Sequence, residues 1–351
     1  MKTMTPIIVF VAVAELAATA AMKENEKTAV LHDNPLALVL SGGGAKGAYE
    51  VGVWQELQAA GLAPRVKAIS GTSVGAINAA LFATRPEAAE TLWLENMGDV
   101  FTINTNRVGE TLRKTLDTAS NSVEVAKATG KDWKGVVHFI LSTALRVASD
   151  AVETTQTDEH REGYINSSKL AEALGANLPT EWPGNAPMVY ATAVEKNAGK
   201  ASKTWRLNGE QHDRQILMLR SSAAIPLGFD TVEIDGKTYV DGGWESKGGD
   251  NVPLEPILDH HSEIKTVFIV YLDDAKHLNK KRFERNQSAA TAAGVRLVEI
   301  VPSENIGRGF GGWQGVFDAS PETAKHLIEL GRKDAREALR KAGLVETHLD
   351  N

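Results

Sequence analysis

The early part of the chain alternates short apolar runs with small-residue stretches of helical spacing. Leu36 to Leu40 is one such run and Val66 to Ile69 another. Each gives way to a glycine turn and then to a helix-like stretch, Ala48 to Ala60 and Ala76 to Ala83. Strand, turn and helix, twice over, predict a βαβα unit, the mark of a parallel sheet covered by helices. Both turns then lie at the same end of neighbouring strands. Arg85-Pro86 ends the block, and from Glu87 to about Glu181 the pattern is mostly helical, as in Thr111 to Thr118 and Val136 to Val152. That stretch reads as an insertion into the α/β core or a cap on it.

After the loop punctuated by Pro183, Gly184 and Pro187, Met188 to Val194 returns to a β pattern. Lys203 to Leu207 and Gln215 to Leu219 predict two further strands, and Arg220 to Pro226 a small-residue helix stopped by proline. Val232 to Ile234 and Lys237 to Val240, joined by Asp235-Gly236, predict a hairpin, because Asp-Gly suits a type I′ turn. Thr266 to Leu272 predicts a buried strand, Lys280 to Gly294 a helix and Val295 to Val301 another strand. Ser320-Pro321-Glu322 opens a closing helix that runs to about Ala342.

With 351 residues and 42% hydrophobic content, the chain is long enough for one large α/β domain, placed here at 36–342 with a tail at 343–351. A formal charge of −7 offers no general electrostatic reason to bind nucleic acid, so no nucleic-acid partner is expected. The absence of cysteine removes disulfides, thiolate metal sites and cysteine nucleophiles together. At the N-terminus, Lys2, the apolar Pro6 to Ala14 and the small residues Ala17 to Ala21 precede a charged stretch. That order predicts a secretory signal over 1–21, a polar linker over 22–35, and an exported, periplasmic or secreted protein. Glu15 interrupts the apolar run, and a packed N-terminal helix is the competing expectation, which would leave the protein cytoplasmic. The run is shorter than the ~20 residues needed to span a bilayer.

The chemistry centres on Gly71-Thr72-Ser73-Val74-Gly75, between an apolar run and a helix-like stretch. A serine on a sharp strand-to-helix turn needs small neighbours, and Gly71 and Gly75 supply them, so the pentapeptide reads as a nucleophile elbow with Ser73 at its tip. The first glycine turn, Gly42-Gly43-Gly44-Ala45-Lys46-Gly47, opens the other helix. A phosphate-binding loop would require Ser or Thr after Lys46, where the chain has Gly47, so nucleotide is not an expected ligand. None of the nine histidines, among them His160, His212, His260, His261 and His277, sits in a pattern that demands catalysis. Asp158-Glu159-His160 and His260-His261 lack metal-ligand spacing, so neither metal nor other cofactor is expected.

Three motifs in order, Gly42 to Gly47, Gly71 to Gly75 and Asp241-Gly242-Gly243, with Arg220 to Pro226 ahead of the last, resemble the patatin-like phospholipase family. The resemblance covers Leu36 to about Ala342. It implies a three-layer α/β fold with a mainly parallel central sheet, helices on both faces and a helical insertion at about 87–181. It also implies a Ser-Asp dyad, with Ser73 as nucleophile, Asp241 as its base and the backbone of Gly42, Gly43 and Gly44 as the oxyanion hole. Lys46 occupies the family's basic position, as a loop brace or a phosphate contact. The expected function is hydrolysis of carboxylic esters in phospholipids, lysophospholipids or related lipids through an acyl-Ser73 intermediate, with peripheral membrane or micelle contact. Acyl transfer through the same intermediate and a non-catalytic lipid-binding module are the alternatives. The chain departs from many relatives after Gly243, where Trp244 to Asp250 intervene before Asn251-Val252-Pro253. Trp244 and the segment Phe310-Gly311-Gly312-Trp313 are candidate edges of the site.

Overall fold

The computed structural model describes residues 34–101, 167–226, 228–307 and 318–345. The expected signal segment, most of the helical insertion, His160 and the Phe310 to Trp313 segment lie outside the described residues.

Eight strands form one sheet: β1 (Leu36–Leu40), β2 (Val66–Thr72), β3 (Met188–Glu195), β4 (Ser202–Arg206), β5 (Val232–Ile234), β6 (Lys237–Asp241), β7 (Thr266–Val270) and β8 (Arg296–Ile300). Its centre is parallel, with β1 between β2 and β7, β3 beyond β2 and β8 beyond β7. The two glycine turns leave neighbouring strands at the same end, because Leu40 pairs with Gly71. The expected hairpin is present as β5 and β6, with Asp235 and Gly236 both at positive φ, as a type I′ turn requires.

The helices are α1 (Ala48–Ala59), α2 (Val74–Thr84), α3 (Pro86–Thr91), α4 (Met97–Val100), α5 (Ser167–Asn177), α6 (His212–Ser222), α7 (Glu255–His260), α8 (Lys280–Ala292) and α9 (Pro321–Lys341). Leu36, Leu38 and Leu40 of β1 point into a core shared with α1, α2 and α9, whereas Ala37 and Val39 point into a second core against α7 and α8. Strand alternation thus buries both faces, as expected for parallel strands covered by helices. The described parts of the insertion, α3, α4 and α5, are helical as expected. Among the described residues no helix is long and apolar enough to cross a membrane.

The expected strand at Gln215 to Leu219 is instead the middle of α6. Its buried residues Gln215, Met218, Leu219, Ser221 and Ser222 gather on one side of a helix, whereas a strand would bury every second residue. An apolar run of four residues, Ile216 to Leu219, is too short to separate the two periods. The proline-stopped helix expected at Arg220 to Pro226 is the last turn of α6, which ends at Ser222 and leads into a loop.

Candidate active site

Ser73 lies where β2 becomes α2, with φ 55 and ψ −126. A positive φ on a residue with a Cβ costs on the order of 1–3 kcal/mol and persists only where its surroundings enforce it. The enforcement is visible. Ser73 N–H donates to Ser222 Oγ at 2.8 Å, and that hydroxyl donates to Thr192 O at 2.6 Å. Gly71 and Gly75 make the sharp turn possible: a Cβ on Gly71 would stand 2.3 Å from Gly75 O, and one on Gly75 would stand 2.6 Å from Leu40 O. Both obstacles are backbone, so neither yields cheaply. Gly71→Ala is expected to destabilise the protein by about 2–4 kcal/mol, read as a lower urea midpoint at unchanged slope.

Strand register brings Asp241 to Ser73. Strand β2 ends at Thr72, opposite Thr192 of β3. The next residue of β3, Ala193, pairs with Asp241 of β6, which takes over the same edge of β3. The last residue of β6 therefore meets the first residue beyond β2. Both side chains are buried, Ser73 at 3% and Asp241 at 7% exposure. Asp241 Oδ1 accepts the Gly243 N–H at 2.7 Å. Oδ2 is buried and has no partner at full hydrogen-bonding geometry among the described residues. Burial pushes the Asp241 carboxyl up to about 6, against smaller lowering contributions from the Ser73 hydroxyl and the Gly243 N–H.

The first glycine turn lies against the same point, since a Cβ on Gly42 would stand 3.1 Å from Ser73 Cβ. Its three glycines are not equivalent. The Gly42 N–H donates to Asn251 O at 3.1 Å and is therefore committed, which removes it from the expected oxyanion set. Gly43 and Gly44 follow, with Gly44 at φ 60, a conformation that favours glycine, just ahead of the first turn leading into α1. Lys46 is 7% exposed, and its ammonium donates to Leu272 O at 2.8 Å and pairs with Asp273 Oδ1 at 3.0 Å. In this structure it braces the turn against the segment that follows β7, with two of its three N–H donors committed there. Beneath the turn, Asn78 donates to Gly47 O at 2.9 Å and to the fully buried Glu50 at 2.8 Å, tying α1 to α2. Burial raises the Glu50 carboxyl well above the ordinary carboxylate range, against smaller lowering contributions from Asn78 and the Ser41 backbone.

An apolar cleft opens at Ser73, lined by Gly44, Val74, Ile77, Met97, Val100, Phe101, Leu170, Ala223, Ile225 and Phe229. Its free volume of about 10 Å³ has room for one water at most. Phe101 and Phe229 meet edge to face at 6.0 Å across it. A larger cavity of about 440 Å³ lies on the α7 and α8 face, lined by Tyr190, Thr192, Arg206, Asp250, Glu255 and Arg285 among others. Size does not favour it as the reaction site, because it holds neither Ser73 nor Asp241. Trp244 is half-buried beyond the Asp241 turn, with Lys247 over its ring at 5.8 Å. His212, His260, His261 and His277 belong to other contacts or surfaces; His261, for example, pairs with Tyr190 and Glu263.

Two residues that sequence reasoning passed over hold the site together. Ser222 fixes the Ser73 backbone, and Asn251 grips Gly42. Both fall in segments that stood out, Arg220 to Pro226 and Asn251-Val252-Pro253, but no local pattern distinguishes a bracing hydroxyl or amide from a solvated one.

The family model described as patatin-like phospholipase matches residues 38–258, well over half of the chain. Among solved structures, VipD from Legionella pneumophila is similar at 15% identity, covering 88% of this chain and 67% of that one, with a TM-score of 0.42. Full-length ExoU from Pseudomonas aeruginosa, solved with SpcU, matches at 15% identity over 88% of this chain and 52% of its own, with a TM-score of 0.38. Human GIVD cytosolic phospholipase A2 matches at 10% identity over 89% and 59%, with a TM-score of 0.44. The chain thus spans between about half and two thirds of these structures. No curated protein sequence matches it.

Proposed function

The chain belongs to the patatin-like phospholipase family, and on that premise we propose that it is a serine acyl hydrolase that cleaves carboxylic ester bonds of phospholipids, lysophospholipids or related lipids. The observation that carries the mechanism is the end-to-end meeting of β2 and β6, which sets a strained, buried serine beside a buried carboxyl that titrates near neutrality. A serine hydroxyl is nearly inert at pH 7 unless a neighbour takes its proton as it attacks. Asp241 Oδ2, buried and with no partner at full hydrogen-bonding geometry among the described residues, is the acceptor in this scheme.

The hydroxyl oxygen adds to the ester carbonyl carbon while its proton passes to Asp241. The carbonyl oxygen becomes an oxyanion, held by the N–H groups of Gly43 and Gly44, whose dipoles point at the developing charge without side chains in the way. Collapse of the tetrahedral intermediate breaks the bond to the alcohol, which leaves with the proton from Asp241. Water then attacks the acyl-Ser73 ester as Asp241 takes its proton; the acyl carbon–Oγ bond breaks, Asp241 returns the proton to the Ser73 oxygen, and the fatty acid is released. The apolar cleft takes the acyl chain once Phe101 and Phe229 part, and contact with a membrane or micelle delivers the substrate. Transfer to an alcohol in place of water would use the same intermediate.

The test is covalent labelling. Full-length protein treated with a fluorophosphonate probe is expected to carry the adduct on Ser73, located by peptide mass spectrometry. Ser73→Ala should carry none and Asp241→Asn little. Well-folded protein that takes no label, with or without lipid vesicles, would turn the assignment toward a lipid-binding module without turnover.

A further inference from the structure

The segment that follows the aspartate turn is tied to every part of the site. Thr72 Oγ1, next to the nucleophile, donates to Asp250 O at 2.6 Å, and Ser70 Oγ donates to Pro253 O at 2.5 Å. Residues 250–253 therefore lie along β2 as a strap, on the sheet face opposite the apolar cleft. Asp250 anchors it further, accepting from Arg285 of α8 at 2.8 Å and from Val252 N–H at 3.1 Å. In the middle of the strap, Asn251 grips the glycine turn twice. Its carbonyl accepts the Gly42 N–H at 3.1 Å, and its Nδ2 donates to Gly42 O at 3.0 Å. Its Oδ1 fills the space where a Cβ on Gly42 would come within 2.3 Å and one on Gly243 within 2.6 Å. One amide is wedged between the glycine turn and the aspartate turn.

The consequence follows from peptide geometry. Gly42 C=O and Gly43 N–H belong to one rigid planar unit and point in opposite directions in the trans form. Whatever holds the carbonyl aims the N–H. We propose that Asn251 is a positioning residue for the reaction: by holding Gly42 O it orients the Gly43 N–H toward the oxyanion, and through the strap it keeps that donor in register with Ser73 and the Asp241 turn. This rests on the assignment of Ser73 as nucleophile and of Gly43 as an oxyanion donor. Asn251 itself does not touch the reacting atoms. The backbone bond from Gly42 N–H survives substitution of the side chain, so the turn keeps one tether and loses the one that fixes its peptide plane.

The experiment compares the full chain with Asn251→Ala and Asn251→Leu, using a soluble p-nitrophenyl ester across pH and the fluorophosphonate probe. Asn251→Leu is close in size and shape, carries no charge and offers no donor to the Gly42 carbonyl, so it removes the bond without a cavity and serves if the alanine variant fails to fold. A misaimed donor costs on the order of 100-fold. The expected result in folded protein is a plateau kcat lowered by about that factor, KM within about threefold of the parent, and Ser73 labelling slowed in parallel. The acid-limb midpoint should stay where the parent has it, because Asp241 keeps its own bond to Gly243. A purely structural role would lower the melting temperature and leave kcat per folded molecule unchanged, and that outcome overturns the proposal. A displaced midpoint also overturns it, because the loss would then run through the base. If the parent takes label at Ser73 and the variants react at its rate, only the role of Asn251 falls; if the parent takes none, the nucleophile assignment fails and takes this proposal with it.

Discussion

Ser73→Ala is expected to lower ester turnover by about 10⁴-fold or more while leaving the folded state about as stable as the parent. The size of the loss follows from covalent catalysis. Without the hydroxyl there is no acyl intermediate, and the remaining donors and cleft can only bind substrate and polarise its carbonyl for a slow attack by water. The near-neutral effect on folding has a separate origin. Alanine keeps the Cβ and the strained backbone that Ser73 already tolerates at φ 55. The bonds that enforce the turn come from the Ser73 N–H, Ser222 and the two flanking glycines, none of which the substitution touches. Initial rates on a phospholipid and a soluble ester, with thermal melts of both proteins, check the two halves together. Turnover within tenfold of the parent would remove Ser73 from the chemistry.

Asp241→Asn should lose about 10³-fold or more in kcat/KM and, at pH 8, gain stability. In the parent the base must be ionised, so kcat/KM rises with pH through about 6 and is flat above it. Asparagine cannot accept the proton, so that limb vanishes with the activity. The stability change has the opposite sign. The folded-state pKa of Asp241 lies above its ordinary value of 3.8, so the folded protein holds this proton more tightly than the unfolded chain does. That contribution is fully present below about pH 4 and is lost as pH rises through about 6. Above that range, ionisation of the buried carboxyl costs up to about 3 kcal/mol, the equivalent of a shift of roughly two pKa units. Asparagine is neutral throughout and can still accept the Gly243 N–H. The variant should therefore be about 1–3 kcal/mol more stable than the parent at pH 8 and nearly equal to it at pH 4, as read from urea midpoints. An equal or lower midpoint at pH 8 would mean that the carboxyl is better solvated than its burial indicates. A base kept at the expense of stability is the usual trade at an active site.

Much of this site was legible before any coordinates. The paired strand, turn and helix units, the elbow at Gly71 to Gly75 and the Asp-Gly hairpin are local patterns, each set by the nearest few residues, and the structure contains all three. Where local information was ambiguous it misled: the short segment Gln215 to Leu219 suited a strand, and only packing of one helical side made it part of α6. The roles of neighbouring glycines were also beyond local pattern. Gly42, Gly43 and Gly44 look alike in one dimension, yet Gly42 spends its N–H on Asn251, a partner more than 200 positions away.

The division has a physical cause. Backbone preference, hydrophobic period and turn chemistry act over a few residues, so the sequence by itself determined the alternating α/β plan and the sharp turn at Ser73, whereas the pairing of that serine with Asp241 came only from the resemblance of three motifs to a family. Burial, titration and hydrogen-bond partnership depend on what lies beside a group in space. Only the tertiary structure decided that β6 continues the edge of β3 where β2 stops, that the Asp241 carboxyl is shut away from water and so titrates near 6, and that Lys46 spends its charge on the segment that follows β7. It also decided that a strap beside the nucleophile strand, running through Asn251, holds the glycine turn in place.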